Sequence, residues 1–163
     1  MLGFPRVINE KAARTVAAVV ALTGVIALAT GAHWLLVPLA YGFWARVLTG
    51  PRLSPLAQLA SKVIAPRLGE PRDVAGPPKR FAQGMGAAIT TLGVVALALG
   101  WSTVTAVLLA MLIVAATLEA ALGLCIGCKV FAGLMRLGVI PESVCAECAD
   151  ITNRANRMRA ANA

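Results

Sequence analysis

The four cysteines of the chain stand as two pairs, Cys125-x-x-Cys128 and Cys145-x-x-Cys148, with 16 residues between them. Two such pairs at this separation match the spacing of a four-thiolate zinc site, because each can present two sulfurs to one tetrahedral ion. The same residues suit thiol–disulfide exchange, in which one thiolate attacks sulfur and a thiol three residues away resolves the mixed disulfide. An iron–sulfur cluster would also use the four thiolates. Spacing alone leaves these chemistries open. Lys129 directly follows Cys128, and a neighbouring cation lowers a thiol's pKa. Glu119 lies six residues before Cys125, at the end of an apolar stretch where a carboxylate is costly, so it is a candidate intramembrane acid or base. The plain alternative is a hydrated Glu at the membrane boundary. On one continuous helix Glu119 and Cys125 would point about 240° apart, so any relay between them requires a bend at Gly123. Gly123 and Gly127 would permit such a break or a close approach by a partner. His33 has no second ligand-type residue in its region and reads as a solvated loop imidazole.

The elements that must position these groups follow from composition. The chain has 163 residues, 59% hydrophobic and 13% charged, with a net charge of +8 and a mean hydropathy of +0.80. That balance excludes an ordinary soluble domain and a disordered basic tail. No Lys, Arg, Asp or Glu occurs between Arg14 and Arg46, or between Arg80 and Glu119. Apolar stretches recur too deep in the chain for a lone signal peptide, which points to an integral membrane protein. Four spans are expected, over about 12–30, 34–48, 82–100 and 103–123. The linkers Gly31-Ala32-His33 and Trp101-Ser102 are so short that each helix pair should form an antiparallel hairpin packed side by side, with Trp34 and Trp101 as interfacial anchors. The Lys and Arg residues number 3 at the N-terminus, 7 over 46–80 and 5 in the C-terminal segment. By the positive-inside rule both termini and the connector face the cytoplasm, with the chain in the inner cell membrane. The positive charge is thus a topology signal, and no nucleic acid is expected as a partner.

In the connector, 49–81, Ser54 is placed to cap a helix and Pro55 to begin it. Leu56, Leu59, Val63 and Ile64 share one face and Gln58, Ser61 and Lys62 the other, the pattern of an interfacial helix ended by Pro66. Small residues such as Gly24, Ala27, Gly86 and Gly93 let membrane helices approach closely. After Cys128, Val130, Phe131, Leu134, Met135 and Leu137 form a further interfacial helix, stopped at Pro141. A last short helix would carry Cys145 and Cys148 back toward the first pair, followed by a basic tail from Arg154 to Arg159. The expected fold is all-α: an integral membrane four-helix bundle over 1–124, with the lipid bilayer and a second copy of the chain as partners, and a cytoplasmic Cys-rich helical segment over 125–163.

Certain residues carry a family resemblance. These are Asn9-Glu10-x-x-Ala13-Arg14, the stretch from Pro51 to Ala57, Pro78-Lys79-Arg80-Phe81-Ala82, and Leu118-Glu119 followed by Gly123-Leu124-Cys125-Ile126-Gly127-Cys128. With them the sequence resembles a bacterial family of small membrane proteins catalogued as a domain of unknown function, with Gly-x-Cys-x-Gly-Cys as its signature. The resemblance covers most of the chain. It implies thiol or sulfane-sulfur handling, since members lie beside thioredoxin-like and thiosulfate sulfurtransferase genes. It carries over Cys125 and Cys128 alone as functional residues.

The leading expectation is a membrane-embedded dithiol protein that exchanges electrons or sulfane sulfur with a cytoplasmic thioredoxin-like protein or sulfurtransferase. Cys125 and Cys128 would act as nucleophile and resolving thiol, and Cys145 with Cys148 as a second dithiol. The cytoplasmic side keeps thiols reduced, so no lasting disulfide is expected. The alternatives are a structural or docking module clamped by Zn2+ on Cys125, Cys128, Cys145 and Cys148, and a small sulfur-species transporter.

Overall fold

The computed structural model describes residues 7–70 and 72–145 of the chain. A short strand β1 (Val7–Asn9) leads into α1 (Glu10–Thr30). A 3-10 turn (His33–Leu35) then precedes α2 (Leu36–Thr49). The connector forms helix α3 over 55–67, followed by β2 (Asp73–Ala75) and α4 (Gly76–Ala98). Next come α5 (Ser102–Leu122), α6 (Ile126–Arg136) and a 3-10 turn, Glu142–Cys145. The structure is all-α apart from an antiparallel ribbon in which Val7 faces Ala75 and Asn9 faces Asp73, a pairing not expected from the sequence. Cys148, the last short helix and the basic tail from Arg154 to Arg159 fall outside the described residues.

Helices occupy each of the four expected span positions. Among the described residues three, α1, α4 and α5, are long and apolar enough to cross a membrane. Helix α2 has 14 residues, about 21 Å at 1.5 Å per residue against a hydrocarbon core of about 30 Å. The hairpin expectation holds for α4 and α5, which pack along each other. It is corrected for α1 and α2: α1 packs chiefly on α5, α2 chiefly on α4, and the two meet only slightly. The short linker joins their ends, but the small-residue seams lie on other partners. A Cβ on Gly24 would sit 2.7 Å from Ile113 of α5, and one on Gly86 would enter the ring of Phe43. Outward faces are apolar, as at Leu22, Val25, Leu92, Val107 and Met111.

The ends of the helices follow local chemistry. Asn9 caps α1 by accepting from the Lys11 amide at 3.0 Å, and Ser54 accepts from Ala57 at 3.4 Å while Pro55 opens α3. Pro66 does not end α3 but lies inside it. Having no N–H and a ring that crowds the preceding turn, it is accommodated by a π turn over Ala60–Ile64, with the Ala65 amide donating to the Ala60 carbonyl. The face of α3 that meets the protein is alanine, Ala57, Ala60 and Ala65, whereas Leu59 and Val63 point outward. Helix α4 begins at Gly76, earlier than expected, because Pro77 and Pro78 suit a first turn that needs no amide donors. That start places Lys79 within the helix, facing inward.

Candidate functional site

The helix is broken between Glu119 and Cys128, at the glycine where a relay between Glu119 and Cys125 requires a bend. Helix α5 stops at Leu122, Gly123 takes the left-handed conformation with φ 66° and ψ 14°, and its amide donates to the Glu119 carbonyl. Glycine is favoured there because a Cβ is penalised at positive φ. Arg14 of α1 reinforces the stop, donating Nε to the Ala120 carbonyl at 3.0 Å and Nη2 to the Ala121 carbonyl at 2.9 Å. The chain then turns and starts α6, which packs on α4. Gly127 permits this packing, since a Cβ there would lie 2.5 Å from Ala82 Cα. Phe131 stacks on Phe81 with ring centroids 5.7 Å apart.

This break sets the roles of the first cysteine pair. Cys125 is the N-cap of α6, with φ −85° and ψ 107°, and its carbonyl accepts from the Lys129 amide. Cys128 lies in the first turn. Both thiols are free, with Cys125 buried and Cys128 half-buried. A helix N-terminus carries partial positive charge and favours a thiolate. The Cys128 thiol, hydrogen-bonding to Cys125, holds the Cys125 pKa below the ordinary thiol range against the opposing effects of burial and Glu119. Cys128 is pushed up by its hydrogen bond to Cys125, then by burial and the Cys125 charge. The two thiols are therefore unequal: Cys125 ionises first and Cys128 keeps its proton.

Glu119 comes to the site because the chain bends at Gly123, the condition its relay requires. Its carboxylate accepts from Lys79 Nζ at 2.5 Å, in an ion pair whose side chains are 7% (Lys79) and 15% (Glu119) exposed. Lys79 is also the cation that acts on both thiols, lowering each pKa, while Glu119 raises each. This corrects the expectation for Lys129, which lies near the thiols in sequence but is not among the groups that shift them. A cavity of about 450 Å³ is lined by Lys79, Cys125, Cys128, Lys129 and the ion-paired Glu10 and Arg72. A smaller one of about 90 Å³, deeper among the helices, is lined by Arg46, Gln83, Glu119 and Cys125. Cys125 thus stands in the wall between an open cavity and an internal one.

Of the second pair only Cys145 lies among the described residues, and it lines neither of these cavities. Cys145 is buried in the 3-10 turn, which packs on α4, and it is disulfide-bonded. That overturns the expectation that all four thiols stand reduced; at 1% exposure Cys145 is shielded from soluble reductant. A disulfide-bonded sulfur is not a thiolate ligand, and among the described residues no group of three or more His, Cys, Asp or Glu is placed to hold a metal ion. His33 remains at the α1–α2 tip, far along the chain from this site.

Sequence reasoning missed Lys79 and Arg46, treating both as basic markers of a membrane boundary. Register would have found them. Lys79 is in step with Gly86, Thr90 and Gly93, and Arg46 with Leu36, Leu39 and Phe43, all buried or packed positions of α4 and α2. A cation in the register of a packing stripe points inward.

A family model described as a domain of unknown function (DUF4395) matches residues 8–136, about four fifths of the chain. The chain belongs to that family. No curated protein and no solved structure matches it.

Proposed function

We propose that the protein is a membrane-embedded dithiol exchanger in which Cys125 is the nucleophile and Cys128 the resolving thiol. The observation that carries this reading is the Cys125 position: a free thiol of lowered pKa at a helix N-cap, hydrogen-bonded by the second thiol and facing a cavity. The Cys125 thiolate attacks one sulfur of a partner disulfide, forming a mixed disulfide and expelling the other partner sulfur as thiolate. The expelled partner thiolate takes up the Cys128 proton, and the Cys128 thiolate attacks the Cys125 sulfur. The Cys125–Cys128 disulfide forms, the second partner thiolate leaves, and two electrons have passed to the partner. With a persulfide partner, Cys125 takes the outer sulfur and releases the partner thiolate. Cys128 attack on that Cys125 persulfide then yields the same disulfide and hydrosulfide. A thioredoxin-like protein or a sulfurtransferase suits this chemistry.

The membrane setting is supported by three long apolar helices with outward Leu, Val and Met side chains, too large an apolar surface for water. The clustering of basic residues away from both tips supports inner-membrane insertion with the cysteines on the cytoplasmic side. The test is trapping of a mixed disulfide, using the full chain in detergent and oxidised thioredoxin as probe. Cys128→Ser should accumulate a thioredoxin adduct on Cys125, and Cys125→Ser should form none. Adduct formation by Cys125→Ser equal to that of Cys128→Ser would end this assignment.

A further inference from the structure

Arg46 has no role in the exchange just described, yet it is buried at 6% exposure. Its Nε donates to Gln83 Oε1 at 2.8 Å, and its guanidinium lies 4.6 Å from the centroid of the Phe43 ring. It forms no ion pair among the described residues, and neither terminal nitrogen, Nη1 or Nη2, donates a hydrogen bond to any of them. Nor is either nitrogen sealed in the interior without a partner. Arg46 lines a cavity of about 280 Å³ at the cysteine end of α1, α2 and α4, where α3 closes over them. Lys79, also 6% exposed, lines the same cavity, with Asn9, Ser61 and Gln83 as its other polar side chains. No Asp or Glu is in the wall, and the rest is aliphatic side chain and glycine.

A buried guanidinium whose terminal nitrogens make no direct ion pair is expensive, even with the Glu119 charge acting on it from a distance. The one carboxylate nearby, Glu119, is taken by Lys79. We propose that Arg46 and Lys79 hold a phosphate-type tetrahedral oxyanion in this cavity. The planar fork of Arg46 offers its two terminal nitrogens to two oxygens at once. Lys79, although ion-paired with Glu119, has ammonium protons left to donate, and Asn9 and Gln83 carry amide donors in the same wall. The volume is about nine times the ~30 Å³ share of one liquid water, so an oxyanion fits together with an organic substituent against the aliphatic wall. The phosphate can come from solution or from the headgroup of an anionic lipid, and the experiment separates these sources.

The full chain, purified in neutral detergent and stripped of lipid, is titrated with inorganic phosphate while its unfolding midpoint is followed, with chloride at equal ionic strength as control. Native mass spectrometry then scores retention of phosphatidylglycerol against phosphatidylcholine. Saturable stabilisation by phosphate, not by chloride and weakened at least tenfold in Arg46→Gln, supports a free oxyanion. Phosphate without effect, but one phosphatidylglycerol retained per chain and lost in Arg46→Gln, supports the lipid headgroup. Should Arg46→Gln not fold, Arg46→Lys serves, which keeps the charge but loses the fork and should weaken binding about fivefold. The proposal is overturned if the parent chain binds neither phosphate nor phosphatidylglycerol in preference to the controls, or if both Arg46 variants bind as the parent does. Neither readout involves the thiols, so the outcome is independent of the exchange reaction.

Discussion

Helices α2 and α4 pack in a single antiparallel register whose chemistry changes along its length. Near the tips Leu36 fits over Gly93, and midway Phe43 fits over Gly86. One turn further, toward the cysteines, the same register sets Arg46 against Gln83, joined by a hydrogen bond. The tip half is held by large side chains seated on glycine, a non-directional contact that depends on shape. The cysteine half is held by directional polar contacts, the Arg46–Gln83 bond and the Lys79–Glu119 pair, around cavities. The difference teaches that one helix pair supplies an apolar clamp at one end and a polar, cavity-lined end at the other. Sites held by polar contacts tolerate less exchange of side chains but tune the charge of what lies between them.

Substitutions at the two ends should therefore separate stability from thiol chemistry. The largest effect expected is on exchange itself: Cys125→Ser should abolish reduction of oxidised thioredoxin while moving unfolding by no more than about 1 kcal/mol. A comparable loss of folding would mean the thiol is a packing residue. Next come the members of the ion pair. Lys79→Met and Glu119→Gln each leave a buried group without its partner and should cost about 3–5 kcal/mol in detergent unfolding. Their effects on Cys125 oppose one another. Removing Lys79 takes away a lowering influence and should move the alkylation profile of Cys125 to higher pH, whereas removing Glu119 takes away a raising one and should move it lower. Shifts in the same direction would contradict the charge arrangement.

Cys128→Ala removes the hydrogen bond that holds Cys125 low. The half-maximal pH for Cys125 alkylation should rise toward the ordinary thiol value, measured with iodoacetamide under anaerobic conditions. The smallest pair compares two glycines. Gly86→Ala, in the clamp, and Gly127→Ala, at the α6–α4 contact, each force a methyl into occupied space and should cost about 1–3 kcal/mol. Only Gly127→Ala should also alter the Cys125 alkylation profile, since it shifts the helix whose N-terminus holds that thiol. Equal thiol profiles for the two variants would show that the ends are not distinct in the way their contacts indicate.

Much of this was legible in the sequence because it depends on local pattern. Charge-free stretches fixed the long helices, Ser54-Pro55 marked the start of α3, and Cys125-x-x-Cys128 marked the site. Gly123 was legible as a place where α5 could bend, because positive φ belongs to glycine. Other features were not local. The strand pairing of Val7–Asn9 with Asp73–Ala75 joins segments more than 60 residues apart, and three residues carry too little alternation to announce a strand. The π turn at Ala60–Ile64 depends on how Pro66 is accommodated within a helix that packing keeps going.

What the sequence by itself determined is therefore the apolar character of the long helices, the glycine at which α5 stops and the position of a thiol pair just beyond it. These are set by hydropathy, by backbone preferences and by residue type. Only the tertiary structure decided that Lys79, not Lys129, acts on those thiols, and that Glu119 faces it. It also decided that Arg46 turns inward between a cavity walled by Glu119 and one without a carboxylate. The physical reason is that Coulomb interactions depend on distance and burial. Those were created when α4 packed between α2 and α5 and α6 folded back upon it.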